Sequence, residues 1–166
     1  MEIYSPDDCY KIREGKNQGK VLEGMMFQNY PWILWMLSLI RKKGDPCRNK
    51  NTFERHLEEL LKKGEDRETT AVCPQCKKNR VNYLSVIRSS YGISAGPGFT
   101  CCDNEKCINE LRNMAMGKEP EFFPFRFSIL KTFSNRSDQK IIANVLRWGF
   151  GIKKLIKKDL FDFFWE

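Results

Sequence analysis

The 166-residue sequence predicts a small α+β protein, and three patterns support this class. Glycine-rich turns separate short apolar runs near the N-terminus, which is typical of a β-hairpin. An apolar stripe at helical spacing runs from Phe53 to Leu61, and helical spacing returns after Ser137. Two close pairs of cysteines lie between these helical regions. We therefore expect three parts: a hairpin-plus-helices module at 1–63, a metal-binding unit at 71–117, and a basic aromatic tail at 118–166 that forms a helical hairpin and packs on the metal-binding unit.

The loop EGKNQGKV at residues 14–21 carries two Gly-Lys pairs, which raises the question of a nucleotide-binding loop. A Walker loop needs four residues between its glycines and a Ser or Thr after the lysine. Here three residues separate Gly15 from Gly19, and Val21 stands where the hydroxyl is required. The sequence therefore predicts no nucleoside triphosphate site at this loop.

A hairpin turn accounts better for the same loop, because both of its glycines permit a positive φ. The apolar runs at 3–12 and 21–27 would then be short strands on either side. Lys16 and Lys20 would project from the tip, either to meet a nucleic-acid phosphate or as the solvated charges of an ordinary turn.

Two helices are predicted after the hairpin. Asn29 as cap and Pro31 in the first turn favour a helix that runs to about Arg41. Asn51, with a glutamate three residues later, has capping-box spacing, and the helix that follows should end at Gly64.

Residues 10–36 contain a Gly-Lys-x-x-Gly-Lys hairpin, then Val-Leu-Glu, then Tyr-Pro-x-x-x-Trp. This order resembles the small module that follows the nuclease domain in exodeoxyribonuclease X-like proteins, a module thought to help engage nucleic acid. Only about ten residues precede it here, so we expect no nuclease domain of that kind. The resemblance implies backbone contact for two lysines and packing for three aromatic residues: Lys16 and Lys20, and Tyr30, Trp32 and Trp35.

The cysteines carry the strongest chemical signal in the sequence. Cys73 and Cys76 are separated by two residues, and Cys102 and Cys107 by four. Four thiolates in two close pairs are the ligand set of structural Zn²⁺, although buried free thiols are the alternative. Cys101 competes with Cys102 for the third position, and we favour Cys102 because its loop to Cys107 is shorter.

The residues around the cysteines fit this interpretation. Lys77 and Lys78 follow the first pair and would offset the negative charge of four thiolates. Asp103 or Asn104 can cap a helix that carries the last ligand in its first turn. A knuckle, a hairpin and a helix in this order resemble the zinc-ribbon and treble-clef class. Four cysteines leave no open coordination position, so the zinc should be structural.

The charge balance favours a polyanionic partner. Lys and Arg number 29 against 21 Asp and Glu, giving a net charge of +8. Such an excess suits nucleic acid, either DNA or RNA, through phosphate neutralisation, but it also occurs in proteins that are merely basic.

The sequence indicates a cytoplasmic protein without a membrane partner. The polar N-terminus lacks the apolar region of a signal peptide, and the longest apolar run, at 30–40, is too short to span a bilayer. Disulfides are not expected in that compartment, so Cys9 and Cys47 are interpreted as core or incidental thiols.

Catalytic residues are not apparent, and we lean against an enzyme. The one histidine, His56, lies in a charged amphipathic helix, where we expect it at the surface or the boundary. Asp7 and Asp8 are adjacent and would point to opposite faces of a strand, so they do not converge on a metal.

The C-terminal tail combines lysines with aromatic rings. In a helix predicted at 152–164, Lys153, Lys154, Lys157 and Lys158 would form a cationic side suited to phosphates, or a solvated face. Arg126, between two phenylalanines, is a stacking candidate. The final aromatic cluster should pack on the body or dock into a partner.

These observations lead to one main hypothesis and one alternative. The main hypothesis is a zinc protein that binds nucleic acid through phosphates and acts as a non-catalytic accessory or targeting subunit of a larger assembly. The alternative is a zinc-stabilised protein-interaction adaptor that docks through its C-terminal aromatic tail. A third hypothesis is a divergent nuclease fragment.

Overall fold

The computed structural model describes residues 10–12, 15–43 and 52–166. The predicted strand at 3–12 lies outside this range except for its last three residues, and the cap at Asn51, Cys9 and Cys47 lie outside it. The described part contains six α-helices and four strands, which confirms the α+β class. In chain order these are α1 (Leu22–Gln28), α2 (Tyr30–Lys43), α3 (Thr52–Asp66), β1 (Tyr83–Ser89), β2 (Gly92–Ser94), β3 (Thr100–Cys101), α4 (Glu105–Met114), β4 (Glu121–Pro124), α5 (Arg136–Gly149) and α6 (Lys157–Trp165).

The chain divides into two compact units. The N-terminal unit comprises Met1–Asp66 together with Lys154–Glu166, and the cysteine unit comprises Arg67–Lys153. The boundary differs from the predicted division, because the segment at 118–166 is split between the two units. The C-terminal helix α6 has its partners among α1 and α3, so α5 and α6 do not form a hairpin within one unit.

The N-terminal unit begins with the predicted glycine turn. Lys11 and Val21 form an antiparallel bridge across it, and Gly15 and Gly19 have φ values of 81° and 84°. The strand predicted at 21–27 is wrong, because the chain enters α1 directly after Val21. A strand would place successive apolar side chains on opposite faces, whereas the helix buries nearly all of this run against its neighbours.

Helices α1, α2, α3 and α6 form the core of the N-terminal unit. Leu57 and Leu60 of α3 are fully buried, as their spacing predicts. The helix continues past Gly64 to Asp66, so glycine does not end it. In α6, Phe163 and Phe164 are buried and their rings contact Phe27 of α1.

The structure decides two predictions about aromatic residues. Trp35, expected in the core, is 52% exposed, because it lies on the side of α2 away from buried Ile33 and Leu37. The C-terminal rings of Phe163 and Phe164 are buried within the N-terminal unit, so of the two expected outcomes they pack on the body of the protein.

The cysteine unit is built on β1, which pairs antiparallel with the three other strands. It meets β2 near its C-terminal end, β3 near its N-terminal end, and β4 along most of its length. Leu84 and Val86 of β1 are fully buried. The strand β4 falls in the aromatic stretch at 118–133, which proline interrupts twice and for which the sequence pattern predicted no strand.

Gly149, the last residue of α5, has a packing role. The backbone oxygen of Gly149 accepts hydrogen bonds from the amides of Thr70 and Ala71, at 2.9 and 3.0 Å. A Cβ on Gly149 would lie 2.2 Å from Cζ of Phe125, so the ring needs glycine there. Among the residues that the structure describes, no helix is both long and apolar enough to cross a membrane.

Candidate metal centre

Four cysteine sulfurs come together in the cysteine unit. The Sγ atoms of Cys73, Cys76, Cys102 and Cys107 all lie within 4.8 Å of one another. The Cys76 and Cys102 sulfurs are 3.8 Å apart. A tetrahedral ion with metal–sulfur bonds of about 2.3 Å requires sulfurs about 3.8 Å apart, so the spacing suits one bound metal ion.

The first two cysteines are held by a tight turn. The amide of Lys77 donates to the backbone oxygen of Cys73 at 2.8 Å, and the amide of Cys73 donates to the oxygen of Asn79 at 2.7 Å. Lys77 has a φ of 53°, in the left-handed region, which closes the turn. The turn therefore directs both thiols of the Cys-Pro-Gln-Cys motif to the same point.

The second pair comes from the end of a strand and the start of a helix. Cys102 follows β3 directly, and Cys107 lies in the first turn of α4. The side chain of Asn104 caps this helix by accepting from the amide of Lys106 at 2.9 Å. The predicted capping by Asp103 or Asn104 is thus confirmed for Asn104. The cap fixes where α4 starts and so places Cys107 in its first turn.

Hydrogen bonds to sulfur prepare the site for thiolates. The backbone amides of Asn79 and then Lys78 donate to the Cys76 thiol and lower its pKa to about 6. The Asn79 side chain also lies 3.8 Å from the Cys102 sulfur. Burial raises the pKa of both Cys102 and Cys107. A bound cation would oppose that rise, because metal ligation requires the thiolate form.

Cys101 is buried beside the cluster but is not part of it. Its sulfur is outside the group of four, and burial, with the charges of Cys73 and Cys102, raises its pKa to about 12. Adjacent residues in extended chain point to opposite sides, so only one of the pair can reach the site. The structure places Cys102 in the cluster, as its shorter loop to Cys107 predicts.

Apolar side chains enclose the cluster on the protein side. Leu111 of α4 is fully buried against it, and Tyr83 and Phe122 of the sheet pack around it. The Gln75 side chain donates to the backbone oxygens of Gly98 and Thr100, which joins the knuckle to the following loop. This shell limits the access of water to the cluster from the protein side, while Cys76 remains partly exposed.

The predicted nucleic-acid residues do not lie in one unit. Lys77 and Lys78 are exposed at the metal knuckle, whereas Lys16 and Lys20 are exposed at the glycine turn of the N-terminal unit. Lys20 donates to the Asn17 side chain at 3.1 Å.

The lysines of the tail are arranged differently from the prediction. The helix begins at Lys157, so Lys153 and Lys154 precede it and the four do not share a helix face. Lys153 also belongs to the cysteine unit, and the others to the N-terminal unit. Arg126 is exposed, but the rings of Phe125 and Phe127 beside it are buried in the core, so they offer it no stacking surface.

A basic helix face that the sequence analysis did not single out lies on α5. Its exposed residues recur at intervals of four, which is the signal that could have revealed it. Unlike the four lysines at 153–158, which are divided between the two units, this helix belongs entirely to the cysteine unit. The exposed or half-exposed polar and aromatic residues of this face, called here the α5 basic face, are Arg136, Lys140, Asn144, Arg147 and Trp148.

The histidine is buried, which corrects the expectation of a surface position. His56 is 1% exposed, and its Nε2 lies 2.6 Å from Oε1 of the fully buried Glu23. The same carboxylate oxygen accepts hydrogen bonds from the Trp165 indole and the Tyr10 amide, each at 3.2 Å. Burial lowers the pKa of His56 to about 4. The hydrogen bonds among Glu23, His56 and Trp165 connect α1, α3 and α6 in the buried interior of the unit.

Comparisons with protein-family models, with curated proteins and with solved structures give no match to this chain.

Proposed function

We propose that the chain is a structural zinc protein that binds nucleic acid through phosphates and serves as a non-catalytic accessory or targeting subunit in the cytoplasm. The observation that carries the proposal is a coincidence of two features in one unit. The cysteine unit holds the four-sulfur cluster and also nearly all of the net charge: fourteen Lys and Arg against seven Asp and Glu, or +7 of the total +8.

The choice of zinc follows from the ligand chemistry. Four thiolates in a tetrahedron suit Zn²⁺ or iron, whereas Mg²⁺ and Ca²⁺ prefer oxygen ligands. Four protein ligands leave zinc no position for water or substrate, so the metal acts on the fold. It would hold the knuckle to the start of α4 and so stabilise the sheet between them.

Nucleic acid is the partner that the charge pattern favours. Lys77 and Lys78 are exposed on the tight turn that follows Cys76, where Lys77 has a left-handed φ. Cationic side chains on a rigid turn neutralise phosphates and release counterions. The lysines of the glycine turn, Lys16 and Lys20, would add contacts of the kind that the resemblance to the exodeoxyribonuclease X-like module implies.

The non-catalytic part of the proposal rests on where the acid–base groups lie. His56 and Glu23 are enclosed by three helices and cannot meet a substrate in this conformation. Their hydrogen bonds organise the N-terminal unit instead. An accessory subunit needs only to bind nucleic acid and a larger assembly, and both roles fit a small basic protein.

Elemental analysis tests the metal. The purified chain should contain one zinc per molecule and should be colourless. One iron with visible thiolate-to-iron absorption would replace zinc in the proposal. Well under one metal ion of either kind, in protein purified without chelator, would contradict the metal site.

A binding screen tests the partner. Labelled single- and double-stranded DNA and RNA should bind at 50 mM salt, and four phosphate contacts to a single strand would weaken binding about 50-fold by 200 mM. If none of the four forms, single- or double-stranded DNA or RNA, binds at 50 mM salt, nucleic-acid binding is rejected. Cleavage of the label in the presence of Mg²⁺ or Mn²⁺ would reject the non-catalytic assignment.

A further inference from the structure

The α5 basic face is continuous along one side of its helix. An α-helix advances 100° per residue, so Arg136, Lys140, Asn144, Arg147 and Trp148 fall within about 120° of one another. From Arg136 to Trp148 the face extends about 18 Å. The opposite side carries Ile142, Val145 and Leu146, which are buried in the core of the cysteine unit. The basic side is therefore fixed in orientation.

No acidic residue interrupts this face. The one acid of α5 is Asp138, which lies on another side of the helix. Its Oδ1 would be 3.4 Å from a Cβ built on Gly92, so it is directed at the turn between β1 and β2. A negatively charged ligand on the face would meet two arginines, a lysine and a neutral amide that can donate through its nitrogen.

The chain after α5 extends the same charge. The guanidinium of Arg147 donates to the backbone oxygen of Lys153 at 2.9 Å, and the amide of Ile152 donates to the oxygen of Arg147. These bonds hold the segment after the helix against its last turn. Lys153 is exposed there and adds a cation at the same end of the face.

Trp148 gives the face an aromatic surface. Its side chain is 37% exposed, although burying an indole is strongly favourable. An exposed indole on a basic surface is the kind of group on which an unpaired base stacks. Bases in a duplex already have both faces covered by their neighbours, whereas bases in a single strand do not. The ring therefore favours a single-stranded ligand over a duplex.

We propose that the α5 basic face is a binding site for single-stranded nucleic acid, in which Arg136, Lys140 and Arg147 contact phosphates and Trp148 stacks on a base. This inference rests on the proposed nucleic-acid binding and assigns it to one helix. It places the main contact on α5, with the knuckle lysines as a secondary one.

The charge part is tested by the salt dependence of binding. The full chain and the double variant Arg136→Gln/Lys140→Gln are titrated against labelled oligothymidylate between 50 and 200 mM salt. Two lost contacts should reduce the slope of log affinity against log salt by about 1.4. The control is Lys106→Gln/Lys118→Gln, which removes the same charge from exposed positions of the same unit and should leave the slope unchanged.

The stacking part is tested at Trp148. Trp148→Ala should weaken oligothymidylate binding about 5- to 150-fold without changing the salt slope, and Trp148→Phe should restore most of the loss. Neither Trp148→Ala nor Trp148→Phe should change the affinity for a duplex of the same length. Asn144→Asp, an exposed change that leaves the core intact, should also weaken binding by placing a negative charge on the face.

The outcomes separate this inference from the proposed function. If the parent chain binds no nucleic acid at low salt, the proposed function fails first. If the parent binds and the α5 double variant matches its Lys106/Lys118 control, the site on α5 is wrong while nucleic-acid binding stands. If Arg136→Gln/Lys140→Gln weakens oligothymidylate binding and Trp148→Ala does not, the face binds polyanions without base stacking. That result would overturn the single-strand assignment. Zinc content and thermal melting of each variant confirm that it is folded.

Discussion

The two units of this protein are stabilised and charged in different ways. The N-terminal unit has a net charge of +1, from fifteen basic and fourteen acidic residues, and its helices meet around one buried carboxylate. The cysteine unit has a net charge of +7, a small sheet and four converging sulfurs. The comparison separates two roles. A metal can stabilise a unit whose surface carries enough like charge to bind a polyanion, whereas the nearly neutral unit is held by helix packing and by the hydrogen bonds of the buried Glu23 carboxylate.

The largest effect should come from removing a ligand sulfur. Cys107→Ser should abolish metal binding and unfold the cysteine unit, because structural zinc sites contribute on the order of 10 kcal/mol to folding. Hydrogen exchange resolved by segment should show rapid exchange in β1, while α2 of the N-terminal unit stays protected.

Cys101→Ala is the matched control for this prediction. It removes a buried thiol next to the cluster but outside the group of four, so one metal ion per chain should remain. Retention of metal by Cys107→Ser, or its loss from Cys101→Ala, would show that the ligand set is assigned incorrectly.

The next effect concerns pH and should appear in the N-terminal unit. Burial lowers the pKa of His56 from 6.5 to about 4. The unfolded chain therefore takes up a proton near pH 6.5 and the folded chain only near pH 4. The stability from the neutral buried histidine is complete above pH 6.5 and is lost as the pH falls towards 4, by about 3 kcal/mol.

Denaturant unfolding followed by tryptophan fluorescence measures this loss, because the Trp165 ring lies 4.8 Å from the His56 ring. The variant His56→Gln cannot take up the proton, so its stability should change less between pH 6.5 and pH 4. Equal pH dependence in the parent and the variant would assign the acid sensitivity to other groups.

A third effect tests packing at the end of α5. Gly149→Ala would place a methyl group 2.2 Å from the Phe125 ring and should destabilise the cysteine unit by about 1–3 kcal/mol. Gly98→Ala is the control, since nothing lies within 4 Å of a Cβ there, and its effect should stay within about 0.5 kcal/mol. Thermal melting of the two variants compares them directly.

Local chemistry allowed part of the structure to be predicted from the sequence. The Cys-Pro-Gln-Cys spacing, the Asn104 cap and the Tyr30-Pro31 helix start each depend on a few neighbouring residues. The choice of Cys102 over Cys101 followed from a loop length. In these cases the physical cause lies within one turn of the chain, so a pattern can reveal it.

The remainder depended on contacts that are distant in sequence. The run after Val21 satisfies either a strand or a helix, and its partners in α2 and α6 decide for the helix. His56 is buried because a carboxylate 33 residues earlier meets it, which no local pattern shows. The division of the tail likewise depends on where Phe163 and Phe164 find an apolar partner.

The smallest expected effect distinguishes the stabilising and binding roles at a single residue. Lys77 adopts a φ of 53°, which costs an L-residue about 1 kcal/mol or more and glycine much less. Glycine also loses more entropy on folding, by about 0.5–1 kcal/mol, so Lys77→Gly should leave stability nearly unchanged. The same change removes a knuckle charge and should lower the salt slope of nucleic-acid binding by about 0.7 if that lysine contacts a phosphate. Lys77→Val removes the same charge but adds a β-branched side chain to a left-handed backbone, so this variant should also be less stable than the parent. If Lys77→Gly is destabilised as much as Lys77→Val, the lysine side chain itself supports the turn that holds Cys73 and Cys76. Its role would then be to stabilise the turn and not to bind nucleic acid.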